Sequence, residues 1–279
     1  MDVTGLVKRE ALRRGLSPRT VDTYCSCLGK FFRVVQRDPK ELTKKDILKY
    51  IDTLIERKAP GRTINVYLNS LKFFYEKVLK KKLTVNLQFS KKRKHLPTFL
   101  TKEEIETFFH AIDNKKHLLM ITLLYSAGLR VSELVQLKAE DFDFRNNCGW
   151  VRAGKGNKDR FFILSMGLKD TLFNWIQHNN IMYNEYVFSS RNGHYSIKSI
   201  QEIIKKATKI AGINKNVHPH TLRHSFATHL IQNGNSVFEV QQLLGHNSVN
   251  TTMIYVHMAS PNLLKIQSPY DSLRIKKKV

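Results

Sequence analysis

Apolar residues recur at every third or fourth position through much of residues 17–80, which is the spacing of amphipathic helices. Ser17 and Pro18 are typical of a helix start, and the pattern that follows them predicts a first helix. The same spacing predicts a second helix from about Thr43 and a third from about Arg62. We interpret residues 1–87 as a compact, all-helical domain.

Residues 88–99 interrupt the helical pattern, because they lack periodicity, include four consecutive cations and contain a proline. This composition is typical of a basic linker that is suited to lie along a phosphate backbone. A second domain, residues 100–259, begins near Thr101, whose spacing to Glu104 is that of a helix capping box. Residues 260–279 follow this domain as a C-terminal tail.

The second domain combines helical and extended patterns. Residues 118–126 predict an apolar helix, and a short helix is expected after Arg130. Residues 150–153 and 161–164 flank a turn that contains glycine, and they predict a β-hairpin. From about Ser196 the pattern is helical again. The chain is therefore expected to be mainly α with a small β-sheet in its second domain.

The charge of the chain favours a polyanionic partner. Its 279 residues include 47 Lys and Arg against 23 Asp and Glu, a formal net charge of +24. The excess is uneven, since residues 1–95 contain 24 of these cations and only nine of the acidic residues. No basic amphipathic anchor or lipidation signal indicates a membrane surface. Nucleic acid is therefore the expected partner.

Several other classes of protein do not fit the sequence. Its most apolar stretch, residues 118–125, is too short to span a bilayer. The first residues, MDVTG, show no charged segment followed by an apolar run, so we expect no secretory signal. Three cysteines form neither a disulfide framework nor a paired zinc motif. These features favour a cytoplasmic protein in a reducing compartment.

The sequence lacks the common motifs of nucleotide and metal chemistry. It contains no GxxxxGK[ST] loop, no HExxH motif, and no cluster of Asp and Glu suited to two-metal phosphodiester chemistry. If a protein of this kind cuts nucleic acid, it must stabilise the phosphate charge with its own cations.

Arg130 and Lys155 are the first candidates for this role. In the segment GLRVSEL, Gly128 permits a break in the helix that exposes Arg130, and Glu133 is placed to orient the arginine. Lys155 lies in the turn GKGNKDR, where the glycines would let a cation approach a phosphate. Taken singly, the first segment is also typical of a loop that enters a helix, and the second of a solvated hairpin turn.

The segment HPHTLRH, residues 218–224, provides the next candidates. His220 and Arg223 are three residues apart, so they share one face of a helix. The alternative is a metal site built from His218, His220, His224 and His229. We favour it less, because no acidic or thiol ligand accompanies these histidines and an arginine among them would repel a cation.

The last candidates lie where one predicted helix ends at Gly245 and another begins. His246 follows the glycine, and Tyr255 lies nine residues after His246. A simple interpretation is a DNA-binding helix-turn-helix in which Tyr255 packs in the core. In combination with the other candidates, Tyr255 is also suited to in-line attack on a phosphodiester. Two arginines would bind the non-bridging oxygens, and a lysine would protonate the leaving oxygen.

Five motifs occur in a fixed order: GLRVSEL with Arg130, GKGNKDR with Lys155, HTLRHSFATHL with His220 and Arg223, LLGH with His246, and IY with Tyr255. This series resembles the tyrosine recombinase (phage integrase) family, and it is most similar to single-protein Xer recombinases of the archaeal kind. The resemblance covers both domains, since SPRTVDTY at residues 17–24 and LPTFLTKEE at residues 96–104 are also similar to family sequences.

The resemblance implies a fold and a reaction. An N-terminal helical core-binding domain and a C-terminal mixed α/β catalytic domain would clamp double-stranded DNA. Tyr255 would form a 3′-phosphotyrosyl bond, and because that bond conserves the energy of the phosphodiester, neither ATP nor a metal cofactor would be required. The other implied roles are phosphate binding by Arg130 and Arg223, general acid for Lys155, general base for His220, support of the transition state by His246, and orientation of these groups by Glu133.

The resemblance also implies a cellular role. Family members act as tetramers on two DNA sites and exchange strands through a Holliday junction. A Xer-type protein would resolve chromosome dimers at a dif-type site in the nucleoid, with no membrane partner and no small-molecule substrate. Two other functions stay open, the integrase of a mobile element and a non-cleaving accessory DNA-binding protein.

Two features after Tyr255 complete the sequence-based hypotheses. The tail, residues 260–279, is expected to dock on a neighbouring subunit, and the alternative is that it packs on its own domain. Tyr270 is a rival nucleophile, which we discount because it follows a Ser-Pro break and lies 24 residues beyond His246.

Overall fold

The computed structural model describes most of the chain, namely residues 1–81, 97–152, 159–190, 193–246 and 248–259, with the backbone alone at residue 257. Helices predominate in these residues, and the strands form two small antiparallel sheets. The chain divides into two compact units, Met1–His95 and Leu96–Val279. The predicted fold class, mainly α with a small β-sheet, is confirmed.

The described part of the first unit is entirely helical. Ser17 caps the second helix by accepting a hydrogen bond from the backbone N–H of Thr20, and Thr43 and Asp46 form the capping box of the third. The helices are α1 (Val3–Arg13), α2 (Pro18–Val35), α3 (Lys44–Glu56) and α4 (Gly61–Lys72), and α4 continues into a π-helical segment (Phe73–Val78). The three predicted helices are present, whereas α1 was not predicted.

Aromatic side chains fill the core of this unit. The rings of Phe31 and Tyr50 meet edge to face with centroids 4.9 Å apart, and those of Phe74 and Tyr75 with centroids 5.2 Å apart. Phe31, Phe74 and Tyr75 are fully buried. Helix α1 adds only Val7 and Ala11 to the buried residues, which explains why its apolar pattern is weak.

Besides a short 3₁₀ helix (Ala139–Asp141), the described residues of the second unit contain eight further helices and five short strands. In chain order they are α5 (Lys102–His110), α6 (Lys115–Ser126), α7 (Val131–Leu134), β1 (Phe142–Asp143), β2 (Cys148–Val151), β3 (Arg160–Ile163), α8 (Met166–His178), β4 (Ser189–Ser190), β5 (Gly193–His194), α9 (Ile197–Ile210), α10 (Pro219–Gln232), α11 (Val237–Leu244) and α12 (Val249–Ala259).

Strands β1, β2 and β3 form an antiparallel sheet in that order. Trp150 on β2 pairs with Phe161 on β3, as expected for the predicted hairpin. The hairpin is therefore confirmed, although β2 begins two residues earlier than predicted. Its turn, residues 153–158, lies outside the described residues. Strands β4 and β5 form a second small hairpin, which was not predicted.

Helix α10 is the central helix of this unit and is buried on nearly all sides. Nine of its fourteen residues are buried, polar side chains such as Arg223 and Ser225 among them. It packs against α6, α11 and α12. Because the Ser225 hydroxyl accepts a hydrogen bond from the backbone N–H of Leu100, the helix also holds the start of the unit. Arg223 on α10 therefore lies in the protein interior, whereas His220, near the start of the helix, is exposed.

The turn between α6 and α7 approaches α10 closely at Gly128. This residue has φ +56°, and a Cβ atom there would lie 2.4 Å from the ring of Phe226. The absence of a side chain lets the Gly128 carbonyl accept a hydrogen bond from Arg223 Nη1 at 2.6 Å. Arg130, two residues after the glycine, is thereby brought to the same helix.

Two predicted segments fall largely outside the described residues. They are the basic linker, of which only residues 97–99 are described, and the tail, residues 260–279. Among the described helices, none is long and apolar enough to cross a membrane.

Candidate active site

Glu133 lies at the centre of a group of three arginines. Its carboxylate accepts the backbone N–H of Arg130 at 2.7 Å and Arg130 Nη1 at 2.6 Å. Arg160 Nη2 donates to the same carboxylate at 2.7 Å, and Arg223 Nη1 lies 3.8 Å from it. Glu133 thus holds both the backbone and the side chain of Arg130, the residue before α7.

The charge balance around Glu133 explains its ionisation. Burial raises the pKa of the Glu133 carboxyl. The pKa is nevertheless lowered overall, because the carboxylate is stabilised by the charge of Arg160, by the hydrogen bond from the Arg130 N–H, and by the charges of Arg223 and Arg130. Because one carboxylate faces three guanidinium groups, the cluster keeps an excess of positive charge. Such a cluster is suited to bind an anion.

Arg160 is a site residue that the sequence analysis did not single out. Besides Glu133, it binds the backbone carbonyl of Leu243 at 2.5 Å, so it joins strand β3 to the end of α11. Its Cδ lies under Gly245, where a Cβ atom would come within 2.7 Å of it. The signal in the sequence was its place at the end of the motif GKGNKDR, five residues after Lys155.

Arg223 is almost fully buried and is fixed through backbone carbonyls. Its Nη1 donates to Gly128, and its Nη2 donates to the carbonyl of Leu244. Burial, together with the charge of Arg130, lowers the pKa of Arg223 to about 9, although Glu133 acts in the opposite direction. At neutral pH the guanidinium stays charged and is held rigidly in place.

The turn between α11 and α12 presents His246. Gly245 ends α11 in the left-handed conformation, with φ +60°, which a glycine adopts without strain. His246 Nδ1 lies 3.0 Å from Thr252 Oγ1 on α12. Burial and the charges of Arg223 and Arg130 lower the pKa of His246 to about 4, so the imidazole is neutral at physiological pH.

Tyr255 lies on α12 among these groups, with only 2% of its surface exposed. Its ring stacks on that of His246, with centroids 6.1 Å apart and an interplanar angle of 19°. Its hydroxyl lies 3.0 Å from Nδ1 of His224. Burial raises the pKa of the Tyr255 hydroxyl, and the positive charges of Arg223 and Arg130 act against that increase. The predicted nucleophile is therefore buried beside the arginine cluster.

His220 lies on α10, one turn before His224. The two rings have centroids 6.4 Å apart, and the ring of His218 lies 6.2 Å from that of His220. Burial is the main cause that lowers the pKa of His220, and the electrostatic effects of His218, Arg223 and Arg130 act in the same direction. His218 itself caps α10, because its Nδ1 accepts the backbone N–H of Thr221.

The fourth histidine of the alternative metal site is engaged elsewhere. His229 Nδ1 lies 2.8 Å from the hydroxyl of Tyr125 on α6. Over the described parts of the chain, no group of three or more His, Cys, Asp and Glu side chains could hold a metal ion. Within these residues, the rings of His218, His220 and His224 lie next to one another, whereas His229 is bound to Tyr125.

Five of the six predicted catalytic residues are described, and the structure brings them to one place. The charges of Arg223 and Arg130 act to lower the pKa of His220, of His246 and, against burial, of Tyr255, so these three residues lie within electrostatic range of both arginines. Lys155 and the rival nucleophile Tyr270 lie outside the described residues. His224, which contacts Tyr255, was named only as a ligand of the alternative metal site and not as a catalytic residue, although its spacing of four residues from His220 was the available signal.

Comparison with known proteins agrees with the resemblance to tyrosine recombinases. Residues 98–261 match the phage integrase family, and residues 7–85 match the N-terminal SAM-like domain of phage integrases. A tyrosine recombinase of Pseudothermotoga lettingae is 33% identical over 88% of this chain and 89% of its own length. The tyrosine recombinase XerA of Pyrococcus horikoshii is 34% identical over 89% of this chain and 86% of its own length.

A solved structure shares the fold of both units. It is the XerH site-specific recombinase bound to a palindromic difH substrate in a post-cleavage complex. The match covers 97% of this chain and 85% of that one, with a TM-score of 0.73 and 24% identity.

The variant Glu133→Gln tests the role of the buried carboxylate. It leaves three guanidinium groups without their counter-charge, so we expect the free energy of unfolding to fall by about 3–5 kcal/mol at pH 7. Urea denaturation measures this loss. Asp141→Asn is the matched control, because Asp141 is buried but its partner Arg152 is 62% exposed, and about 1 kcal/mol is expected there. Equal losses in the two variants would contradict the central role of Glu133.

The neutral histidines predict how stability depends on pH. Burial, first of all, lowers the pKa of His224 and His246 to about 4, whereas the unfolded chain binds protons at these residues below a pH of about 6.5. The unfolded state therefore binds more protons in this window, and each residue should cost about 1–2 kcal/mol of stability as the pH falls from 7 to 5.

Urea denaturation at a series of pH values checks this prediction. His224→Phe and His246→Phe should each make the decline from pH 7 to pH 5 shallower than in the wild type. His178→Phe, which replaces an exposed histidine on α8, should leave the decline unchanged. If the first two variants kept the wild-type slope, neither imidazole would be held neutral by the fold.

Proposed function

This chain belongs to the phage integrase family of tyrosine recombinases, which cleave and rejoin DNA at specific sites, and from that premise we propose that it acts through Tyr255 as a Xer-type recombinase. The observation that carries the proposal is the position of Tyr255, buried against two imidazoles and beside the arginines gathered around Glu133. A tyrosine that served only for packing would not need these neighbours.

The proposed cleavage is an in-line attack on a phosphodiester. Tyr255 Oη forms a bond to phosphorus while the bond to the 5′ oxygen breaks, which yields a 3′-phosphotyrosyl linkage and a free 5′-hydroxyl. Arg130 and Arg223 would bind the non-bridging oxygens, where their fixed positions favour the negative charge of the transition state. The same geometry serves the reverse reaction, in which a 5′-hydroxyl attacks the linkage and restores the DNA strand.

Three further groups complete the proposed site. Lys155, in the motif GKGNKDR, would protonate the leaving 5′ oxygen as general acid. His220 holds the position of the family's general base, and His246, next to the ring of Tyr255, would hydrogen-bond the phosphate. The phosphotyrosyl bond conserves the energy of the phosphodiester, so the reaction needs neither a nucleotide nor a metal cofactor.

The proposed substrate is double-stranded DNA. A formal net charge of +24 supports this, because cations that neutralise phosphates release counterions and strengthen binding. The first unit matches the SAM-like domain of phage integrases and contains much of the positive charge, which supports a DNA-binding role for residues 1–87 beside the catalytic domain at residues 100–259.

We infer a role in chromosome maintenance from the relatives. One is named XerA, and the XerH structure contains a difH site, so a dif-type site is the proposed target of this chain. The protein would act in the cytoplasm, on the nucleoid, as a homotetramer that resolves chromosome dimers through a Holliday junction. The integrase of a mobile element would use the same chemistry on a different target.

The tail, residues 260–279, has a proposed role in that assembly. Ser260 and Pro261 are typical of a helix start, and Leu263, Leu264 and Ile266 form a short apolar stripe after them. We propose that this stripe docks on the neighbouring protomer of the tetramer.

Covalent trapping tests the proposed nucleophile and target together. Wild-type protein and Tyr255→Phe are incubated with sheared, labelled DNA of the source organism in the presence of a chelator. We expect adducts that resist SDS with the wild type alone, and their sequences should accumulate at one chromosomal locus. Tyr183→Phe, which replaces an exposed tyrosine, should form adducts as the wild type does.

The other outcomes separate the alternatives. Adducts at the boundary of a mobile element would favour an integrase. DNA binding without adducts in the wild type would contradict the catalytic proposal and favour an accessory DNA-binding protein.

A truncation after Ser260 tests the tail. If the tail docks on a neighbour, the truncated protein should form adducts at single sites but lose the assembly of two sites, which gel-shift experiments with paired sites measure. Assembly at the wild-type level would show that the tail packs on its own domain or has no role in docking.

A further inference from the structure

His224 contacts the reacting hydroxyl, yet the motifs and the family resemblance give it no role. Its Nδ1 lies 3.0 Å from Tyr255 Oη, and the two rings have centroids 5.6 Å apart. Among the described residues, His224 is the hydrogen-bond partner of the Tyr255 hydroxyl. His220, the position of the family's general base, makes its ring contacts with His218 and His224 instead.

The burial of Tyr255 makes an internal proton acceptor necessary. The side chain is 2% exposed, so bulk water has little access to its hydroxyl. A phenol has an ordinary pKa of about 10, and burial raises the pKa of Tyr255 further. A tyrosine in this state attacks phosphorus efficiently only if a neighbouring base takes its proton.

We propose that His224 Nδ1 accepts the proton of the Tyr255 hydroxyl when the tyrosine attacks DNA. This inference rests on the proposed function and deepens it, because it moves the proton step from His220 to the imidazole one helical turn away. His220 then acts on the phosphate, and not on the hydroxyl.

The proposed step is balanced. The O–H bond of Tyr255 breaks and its proton binds His224 Nδ1, while Oη bonds to phosphorus and the bond to the 5′ oxygen breaks. The 5′ oxygen receives its proton from the general acid, for which Lys155 is proposed. When the strand is rejoined, the 5′-hydroxyl returns its proton to the group proposed as general acid, Lys155, and Tyr255 recovers its own proton from His224.

The surroundings of His224 suit an acceptor. Burial and the charges of His220, His218 and Arg223 lower the pKa of His224 to about 4, so it is neutral at physiological pH and the phenol donates to it. A phosphate bound at Arg223 would add negative charge nearby, which favours the protonated imidazole as the reaction proceeds. The titratable or charged groups that interact with His224 are His218, His220 and Arg223 on α10, His246 in the turn before α12, and Tyr255 on α12.

The variant His224→Asn separates proton transfer from hydrogen bonding. The Asn amide oxygen takes a place close to that of Nδ1 and accepts a hydrogen bond, but it does not take up a proton. We expect single-turnover cleavage of the trapped DNA site to be about 100-fold slower than in the wild type, which is a typical contribution of a general base. DNA affinity and thermal unfolding, measured alongside, should stay close to those of the wild type.

A more acidic nucleophile provides the decisive measurement. 3,5-Difluorotyrosine is placed at position 255 by nonsense suppression in the wild type, His224→Asn and His220→Asn. This phenol ionises more readily, so it should recover about tenfold or more of the cleavage rate in His224→Asn. It should change the wild type little and should not rescue His220→Asn. His178→Asn, an exposed position, controls for the substitution itself.

Three results would overturn the inference: a wild-type rate for His224→Asn, a loss in that variant that the fluorinated tyrosine does not relieve, or rescue of His220→Asn in its place. The second would show that His224 only positions the hydroxyl. Failure of the proposed function appears separately, as the absence of any adduct with wild-type protein, and it would overturn both proposals.

Discussion

One buried carboxylate organises the candidate site. Glu133 accepts hydrogen bonds from Arg130 and Arg160 and lies near Arg223, so three guanidinium groups from three parts of the chain converge on it. Without this carboxylate, the mutual repulsion and desolvation of the arginines would oppose folding. With it, the site keeps a positive excess in a poorly solvated place, where a phosphate would gain more from each charge than it does in water.

The same burial controls the other groups of the site. His224 and His246 are neutral because the interior and the nearby arginines disfavour further positive charge, and the same effects lower the pKa of His220. Neutral imidazoles accept protons and hydrogen bonds, whereas charged ones only donate. Burial favours the protonated form of Tyr255, although the charges of Arg223 and Arg130 act against it. These protonation states suit the first step of the proposed reaction.

The sequence predicted the helices whose starts carry clear signals. Ser17 with Pro18, Thr43 with Asp46, and Thr101 with Glu104 all form the caps that their spacing indicates. Helix α1 escaped prediction because it buries only two side chains. The hairpin of β4 and β5 escaped because each of its strands has two residues, all exposed, and therefore no apolar alternation.

The residues of the candidate site were also predicted only where a local sequence signal exists. Ordered motifs identified the residues that resemble a known family, but Arg160 and His224 act through contacts with Glu133 and Tyr255 that lie 27 and 31 residues away in the chain. Such contacts follow from the packing of β3 and α12, which local spacing does not reveal.

The convergence of Arg130, Arg160 and Arg223 on one carboxylate has a consequence for how this site can evolve. A replacement of Glu133 harms all three arginines at once, and no single later change restores them, because each guanidinium has lost the same partner. Glu133 can therefore be replaced without loss of stability only if residues on α7, β3 and α10 change at the same time. The cluster should be inherited as a block, while diversification of DNA targets is left to surfaces that do not touch it.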